Sequence, residues 1–192
     1  MSVRLLTSSH FRRQPWQNGR GTTLELVRQA DKSGALLWRL SVADVIEPGP
    51  FSPLPGVDRV ITLIEGNGFD LDFGDGQSPV SLRPFEPVSF SGDWSTTATT
   101  VHGPSHDFNV MTARGRIQAG VEVMSSGVVN ATFAYLYVAK GSANVSASRS
   151  SVRAEAGELI ECRHESGLRV EVGEAGRLIA IHLAASDGAT FP

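Results

Sequence analysis

The hydrophobic and polar residues of this chain alternate over many short stretches, which is the pattern of half-buried β-strands. Trp38, Leu40 and Val42 fall on one face of such a stretch. Arg39 and Ser41 fall on the opposite face of the same stretch. No long window shows the apolar stripe of an amphipathic helix. The pattern therefore predicts an all-β fold.

Glycine and proline divide the chain into short segments, because 20 glycines and 10 prolines are spread along its length. Residues 69–73 alternate strictly and run into Gly74-Asp75-Gly76, which is a strong hairpin signal. The other predicted strands are also short and regularly spaced. They lie at residues 36–43, 57–64, 80–82, 88–90, 96–101, 107–113, 117–123, 132–138, 143–147, 151–154, 158–162, 168–172 and 177–183. Such a series predicts an antiparallel sandwich or barrel.

Two parts of the chain share one outline of strand, glycine turn and strand. The first surrounds Gly66 and the second surrounds Gly141. The order is similar to that of a cupin barrel, and two copies predict a duplicated cupin-like antiparallel β-barrel, a bicupin. Any all-β chain can show such echoes, so a single sandwich stays an alternative at this point.

The predicted domains follow from the duplication. Residues 1–115 form the N-terminal cupin-like barrel, which includes a loop with Trp16 and Asn18. Residues 116–192 form the C-terminal cupin-like barrel. The loop is dense in glycine, threonine and polar side chains, and such loops on a rigid scaffold often carry functional sites.

Composition narrows the functional classes. The chain has 192 residues, 41% hydrophobic and 19% charged, with a net charge of −3, so neither nucleic acid nor an anionic membrane is expected as a partner. Its single cysteine, Cys162, excludes an intrachain disulfide and alternates with Ile160, which predicts a buried structural thiol. There is no apolar leader or membrane-spanning run, and a cytoplasmic protein is expected.

A set of motifs runs in order through the N-terminal part of the chain. The motifs are Pro15-Trp16 with Asn18-Gly19, Gly21-Thr22-Thr23, Trp38-Arg39-Leu40-Ser41-Val42-Ala43, Gly49-Pro50-Phe51-Ser52, Pro55-Gly56-Val57-Asp58-Arg59, Leu63-Ile64-Glu65-Gly66, Phe90-Ser91-Gly92-Asp93-Trp94 and Asp107-Phe108-Asn109-Val110-Met111. Together these motifs resemble the HutD/Ves family of bacterial bicupins, and the resemblance implies a link to histidine utilisation or to stress induction. One departure is Gln17, where the family motif more often has lysine.

The histidines do not predict a metal site. The pattern typical of metal-binding cupins has histidines and a glutamate around the first turn glycine. This chain has no histidine there. His102 and His106 are separated by Gly103-Pro104, which disfavours a helix and predicts loop histidines. His164 and His182 are isolated. We therefore expect neither a metal nor another cofactor.

The remaining polar residues predict a ligand pocket. Arg39 and Ser41 share a polar strand face that can line a barrel, and a guanidinium group suits bidentate recognition of a carboxylate. The predicted ligand-binding residues are Trp16, Asn18, Thr22, Arg39, Ser41, Asp58, Arg59, Asp107 and Asn109. For each arginine, a surface charge or a structural Arg–Asp pair remains an alternative, and Trp38 is expected in the core.

The resemblance gives three hypotheses of function. The first is a non-enzymatic, metal-free regulator of histidine catabolism that binds a small anionic metabolite, with N-formimino-L-glutamate or urocanate as candidate ligands. The second is a metal-independent hydrolase or isomerase in which Asp58, Glu65 or Asp107 serves as general base. The third is a stress-induced protein of an unrelated pathway. An open barrel edge would favour a homodimer.

Overall fold

The structure is a computed structural model that describes residues 3–16, 21–74, 76–148, 150–162 and 167–186. These residues form β-strands and one short 3-10 helix, Ser8–His10, so the all-β prediction is confirmed. Within the same ranges, no helix has the length and apolar composition needed to cross a membrane.

The strands are short and follow one another closely along the chain. The first are β1 (Arg4–Leu6), β2 (Arg12–Pro15), β3 (Thr22–Ala30), β4 (Leu36–Val45), β5 (Gly49–Pro50), β6 (Val57–Gly66), β7 (Asp70–Asp72), β8 (Val80–Ser81), β9 (Val88–Ser91), β10 (Thr97–Thr99) and β11 (Ser105–Ala113). The others are β12 (Ile117–Met124), β13 (Gly127–Ala131), β14 (Tyr135–Lys140), β15 (Ser142–Ala147), β16 (Ser150–Glu155), β17 (Leu159–Glu161), β18 (Leu168–Val172) and β19 (Arg177–Ala185). Strands β1, β2, β3, β5 and β13 were not predicted from the sequence.

The chain forms two compact units. The N-terminal unit contains residues 12–118 and the described residues from 185 onward. The C-terminal unit contains the described residues up to 11 and residues 119–184. These bounds differ from the predicted domains at the start of the chain, because β1 pairs with β17, and they also differ at residues 116–118 and from residue 185 onward.

Two sheets build the N-terminal unit. The larger has the order β2-β3-β4-β11-β6-β9, and the smaller has the order β5-β10-β7-β8. Their apolar side chains form one core, in which Ile61 and Leu63 of β6 pack with Phe69, Leu71 and Ala98 near the smaller sheet. Ile61 and Leu63 are two residues apart in β6, so the alternation of the strand directs both side chains to the side of the sheet that faces this core.

The C-terminal unit also has two sheets, with the orders β1-β17-β14-β19-β12 and β13-β18-β15-β16. Its core contains Leu136, Val145, Ile160, Val170 and other buried aliphatic residues. Cys162 belongs to this core, is fully buried and forms no disulfide, which confirms the predicted structural thiol.

The duplication is visible in the turns. Gly66 ends β6 with φ +93° and Gly141 follows β14 with φ +71°, so both turn glycines occupy the left-handed region that favours glycine. At Gly66 a Cβ atom would also lie 2.3 Å from the carbonyl oxygen of Pro104. The cupin-like class is thus retained, but the sheets of each unit stay open and do not close into the predicted barrel.

Candidate functional site

One face of the six-stranded sheet carries polar side chains from three neighbouring strands. Asn109 on β11 lies directly opposite Ser41 on β4. Asp107 precedes Asn109 by two residues, so both side chains point to the same side of the sheet. Arg59 on β6 points to that side as well, because it lies opposite Met111, two residues beyond Asn109. This side of the sheet is called the Arg59 face below.

Arg59 is held by a hydrogen bond and two aromatic rings. Its Nη2 donates to Oδ1 of Asn109 over 2.8 Å. Its guanidinium carbon lies 5.0 Å from the ring centroid of Phe51 and 4.9 Å from that of Phe90, which gives cation–π contacts on a buried cation. Burial lowers the pKa of Arg59 to about 10, while the charge of Asp107 opposes that change. The side chain therefore remains positively charged at neutral pH.

Asp107 is the buried acid of the Arg59 face. One oxygen of its carboxyl group accepts a hydrogen bond from Nδ2 of Asn109. Burial raises the pKa of Asp107 to about 7, and the charge of Arg59 and the hydrogen bond from Asn109 both oppose this rise. A carboxyl group with this pKa exchanges its proton near neutral pH, as a general acid or base must.

Three buried polar atoms of this face have neither a hydrogen-bond partner nor an ion-pair partner among the residues that the structure describes. They are Oγ of Ser41, Nε of Arg59 and Oδ1 of Asp107. An unpaired buried polar atom costs about 1–3 kcal/mol, so such atoms are rare in folded proteins and are frequent where a ligand completes the pairing. Together they offer a hydroxyl group, an N–H donor and a carboxyl oxygen.

Arg39 also lies on the Arg59 face, but it forms an ion pair with Glu25. Its Nε lies 2.9 Å from Oε2 of Glu25, and the side chains are only 22% and 14% exposed. The ion pair supports the structural alternative for Arg39. Glu25 was missed because β3 was not predicted, although Leu24 and Leu26 alternate with it in the sequence.

Thr22 lies on the opposite face of the sheet, within a different polar network. Its hydroxyl group donates to Oδ2 of Asp44 and accepts a 2.8 Å hydrogen bond from Nη1 of Arg13. The ring of His106 continues the network, since Nε2 lies 3.3 Å from Asp44 and Nδ1 lies 3.0 Å from Glu65. His106 is part of β11, so its predicted position in a loop is wrong.

Asp58 is likewise separated from its neighbour Arg59, because consecutive strand residues point to opposite faces. Oδ1 of Asp58 accepts a 2.7 Å hydrogen bond from Nε of Arg114. Arg114 also donates to the carboxylate of Asp93 and, over 2.6 Å, to Oγ of Ser91. Asp58 therefore belongs to an exposed ion-pair cluster rather than to the Arg59 face.

Trp16 forms the wall of a shallow surface pocket in the N-terminal unit. Its Nε1 donates to Oγ1 of Thr23 over 2.8 Å, and its backbone N–H donates to the carbonyl oxygen of Gly21 over 2.9 Å. The pocket is also lined by residues 45, 47–51 and 98, which include Phe51 beside Arg59. Asn18, predicted to bind ligand from the same loop as Trp16, lies outside the described residues, as does Gln17.

The described histidines make separate contacts. His102 lies in a loop as predicted, and its backbone N–H donates to the carbonyl oxygen of Gly68. In the C-terminal unit, Nε2 of His182 lies 2.6 Å from Oε1 of Glu122. His164 falls outside the described part of the chain. Within that part, no group of three or more His, Cys, Asp or Glu side chains is placed to hold a metal ion.

Comparison with known proteins identifies similar sequences. The family model described as HutD matches residues 8–180. An uncharacterised 21.2 kDa protein of the hutC 3′ region of Pseudomonas putida is 36% identical over 121 residues, which cover 62% of this chain and 63% of that protein. Protein Ves of Citrobacter koseri is 39% identical over 109 residues, 56% of each chain. The matches thus span less than two thirds of either relative.

Solved structures extend the similarity over nearly the whole chain. HutD from Pseudomonas fluorescens SBW25, solved in a formate condition, superposes with a TM-score of 0.80 at 28% identity, over 95% of this chain and 98% of that one. A cupin 2 conserved barrel domain protein from Leptotrichia buccalis has a TM-score of 0.56 at 10% identity, over 83% and 87% of the two chains. The second likeness shows the cupin fold alone.

Proposed function

Because this chain belongs to the HutD family, we propose that it is a metal-free, small-molecule-binding regulator of histidine catabolism. The names HutD and hutC 3′ region give its relatives a histidine-utilisation context. We propose a small anionic intermediate of that pathway as the ligand, with N-formimino-L-glutamate and urocanate as the candidates. The observation that carries the proposal is the buried Arg59 whose Nε has no hydrogen-bond partner among the described residues.

The chemistry of the Arg59 face supports a ligand that has a carboxylate at one end and nitrogen at the other. The unpaired N–H of Arg59 suits a carboxylate oxygen, and the flanking rings of Phe51 and Phe90 keep the guanidinium in one plane. Asp107 and Ser41 offer an oxygen each to the N–H groups of a formimino or imidazole group. Both candidate ligands contain this combination.

Titration calorimetry with the two candidates tests the proposal. Heat and an increased melting temperature with one of them, unchanged by a chelator, are expected. Arg59→Lys keeps the positive charge but loses the planar, forked set of N–H donors of the guanidinium group. It should weaken binding about tenfold or more. Arg114→Lys is the matched control, because Arg114 also binds carboxylates but lies on the opposite face. Absence of binding by both compounds, or equal losses in the two variants, contradicts the proposal.

The properties of Asp107 favour a second candidate function, a metal-independent hydrolase or isomerase that acts on the same compounds. Of the three acids considered as general bases, Asp107 alone is buried on the Arg59 face, with its pKa raised to about 7. An oxyanion would then be stabilised by Arg59. Turnover that Asp107→Asn abolishes while ligand binding persists would establish the enzyme; binding without turnover in the unmodified protein would reject it.

A further inference from the structure

The ligand-binding groups of the Arg59 face are closed to solvent. Arg59 is 5% exposed, Asn109 is 1% exposed and Asp107 is not exposed at all. A small molecule can reach these groups only if a side chain that covers them moves. Access therefore depends on which of the covering side chains can move.

Two rings cover the guanidinium of Arg59, and they are anchored differently. Phe90 lies in β9 directly opposite Arg59, is 5% exposed and packs 5.3 Å from the ring of Phe73 in the core. Phe51 also packs against the core, since its ring centroid lies 6.3 Å from that of Phe69, but it follows the two-residue strand β5, lies outside any strand and is only half-buried. Its backbone is tied by one hydrogen bond of 2.9 Å to the carbonyl oxygen of Thr96. Local opening is drawn from such weakly anchored segments, so Phe51 is the ring that can move.

Phe51 also borders the shallow surface pocket next to Trp16. The pocket is lined by apolar side chains, among them Trp16, Pro48, Pro50 and Phe51, and by the acidic Glu47. The same ring of Phe51 thus belongs to a surface pocket and to the cover of a buried cation. No other residue of the pocket lining has a described contact with the Arg59 guanidinium.

We propose that Phe51 is the gate of the site and that the pocket beside Trp16 is its access route. Rotation of the ring away from Arg59 widens the pocket and opens the guanidinium to a small carboxylate that enters by this route. Closure afterwards restores an aromatic surface beside the ion pair and excludes water from it, which strengthens the charge interaction. The inference rests on the proposed function for the ligand, whereas the gate itself is tested without any ligand.

The gate is tested by the reactivity of Arg59 toward phenylglyoxal, a dicarbonyl reagent that modifies accessible arginine side chains. Modification of Arg59 is followed over time by peptide mass spectrometry, and the exposed Arg114 of the same molecules provides the reference rate. Phe51→Leu removes the mobile ring and its cation–π contact, and it should accelerate modification of Arg59 about tenfold. Phe90→Leu is the matched control, since it removes the other ring and should leave the rate within about twofold.

Further variants keep the test decisive if Phe90→Leu folds poorly. Phe51→Trp places a larger ring at the gate and should slow the modification of Arg59 below its rate in the wild-type protein. Glu25→Ala opens the Arg39–Glu25 side of the face instead. The gate would be overturned if Phe51→Leu and the wild-type protein were modified at Arg59 at equal rates. It would also be overturned if both leucine variants were accelerated equally, or if only Glu25→Ala were accelerated.

A ligand arm separates the gate from the proposed function. Urocanate association is measured by stopped flow, and Phe51→Leu should raise the association rate constant about tenfold, matching its effect on reagent access. If urocanate and N-formimino-L-glutamate do not bind but Phe51→Leu accelerates phenylglyoxal, the gate is supported and the proposed ligands are rejected. If they bind and Phe51→Leu changes neither rate, the gate is rejected and the proposed function is retained.

Discussion

Arg59 and Asn109 are joined by a hydrogen bond of 2.8 Å from Nη2 of the guanidinium to Oδ1 of the amide, although both side chains are buried. The same amide donates through Nδ2 to the carboxyl group of Asp107. An asparagine side chain has both an acceptor and a donor, so it can link a cation to a carboxyl group. Asn109 therefore connects the two ionisable groups of the site.

Removal of this link should destabilise the N-terminal unit. Asn109→Ala leaves one more unpaired atom on each of Arg59 and Asp107, and we expect a loss of about 3 kcal/mol in the free energy of unfolding. Urea denaturation measures the loss. Asn67→Ala is the control, because Asn67 is exposed and donates to the backbone of His102; we expect a loss below about 1 kcal/mol for it. Similar losses in the two variants would show that Asn109 does not bridge buried groups.

The raised pKa of Asp107 should make stability fall as the pH rises. Between the ordinary aspartate pKa of 3.8 and the folded-state pKa of about 7, the folded protein holds a proton that the unfolded chain has released. The free energy of unfolding therefore decreases with pH across this window, by at most about 4 kcal/mol. Asp107→Asn keeps a neutral side chain and should lose this slope, as urea denaturation at pH 4 to 8 would reveal. Parallel curves for the two proteins would refute a raised pKa.

Asp93 should produce the opposite dependence at lower pH. The hydrogen bond from Arg114 is the main cause that lowers the pKa of Asp93 to about 2, so the unfolded chain binds a proton between pH 2 and 4 that the folded protein does not. The free energy of unfolding therefore falls as the pH drops through this window. Arg114→Ala should weaken that dependence, and added salt should weaken it too, because the pair is exposed.

The matched control for this second window is Arg28→Ala. Arg28 is also exposed, but its guanidinium donates to the backbone carbonyl of Gly34 rather than to a carboxylate. Denaturation curves at pH 3 and pH 5 measure the dependence in each protein. The interpretation fails if Arg114→Ala retains the full difference between the two pH values.

Gly21 should be required for the position of Trp16. A Cβ atom on Gly21 would lie 2.4 Å from the carbonyl oxygen of Asp44 and 3.0 Å from Cε3 of Trp16, so Gly21→Ala must displace backbone or the indole ring. We expect a loss of about 1–3 kcal/mol in stability, measured by denaturation. Gly49→Ala is the control, since its Cβ atom would meet nothing within 4 Å. An unchanged stability in Gly21→Ala would mean that the hairpin gives way without strain.

Much of the fold could be predicted because strand alternation is a local property. Alternation correctly assigned Arg39 and Ser41 to one face and Trp38 to the other, and it joined Asp107 with Asn109. β3 was missed because it begins with two threonines directly after a glycine-rich stretch, where the sequence suggested a loop. Shorter strands such as β5 have too few residues to show a period and exist only through their neighbours.

The structure brings only some of the predicted ligand-binding residues together on the Arg59 face, and the separation of the others has a common cause. Asp58 and Arg59 are adjacent in sequence, yet Asp58 binds Arg114 while Arg59 binds Asn109. Thr22 was assigned to the pocket but donates to Asp44 on the opposite face. Partners of this kind come from strands distant in the sequence, so the sequence pattern contains no signal for them.

The sequence by itself determined which residues share a face, where the turns fall and which residues can supply a cation, an amide or an acid, because period and side-chain chemistry are local. Only the tertiary structure decided that Glu25 forms an ion pair with Arg39 and that Phe51 and Phe90 cover Arg59. It also decided that the pKa of Asp107 is raised to about 7. Ion pairing and desolvation depend on all the groups that surround a charge, and those groups are brought together only when the sheets pack.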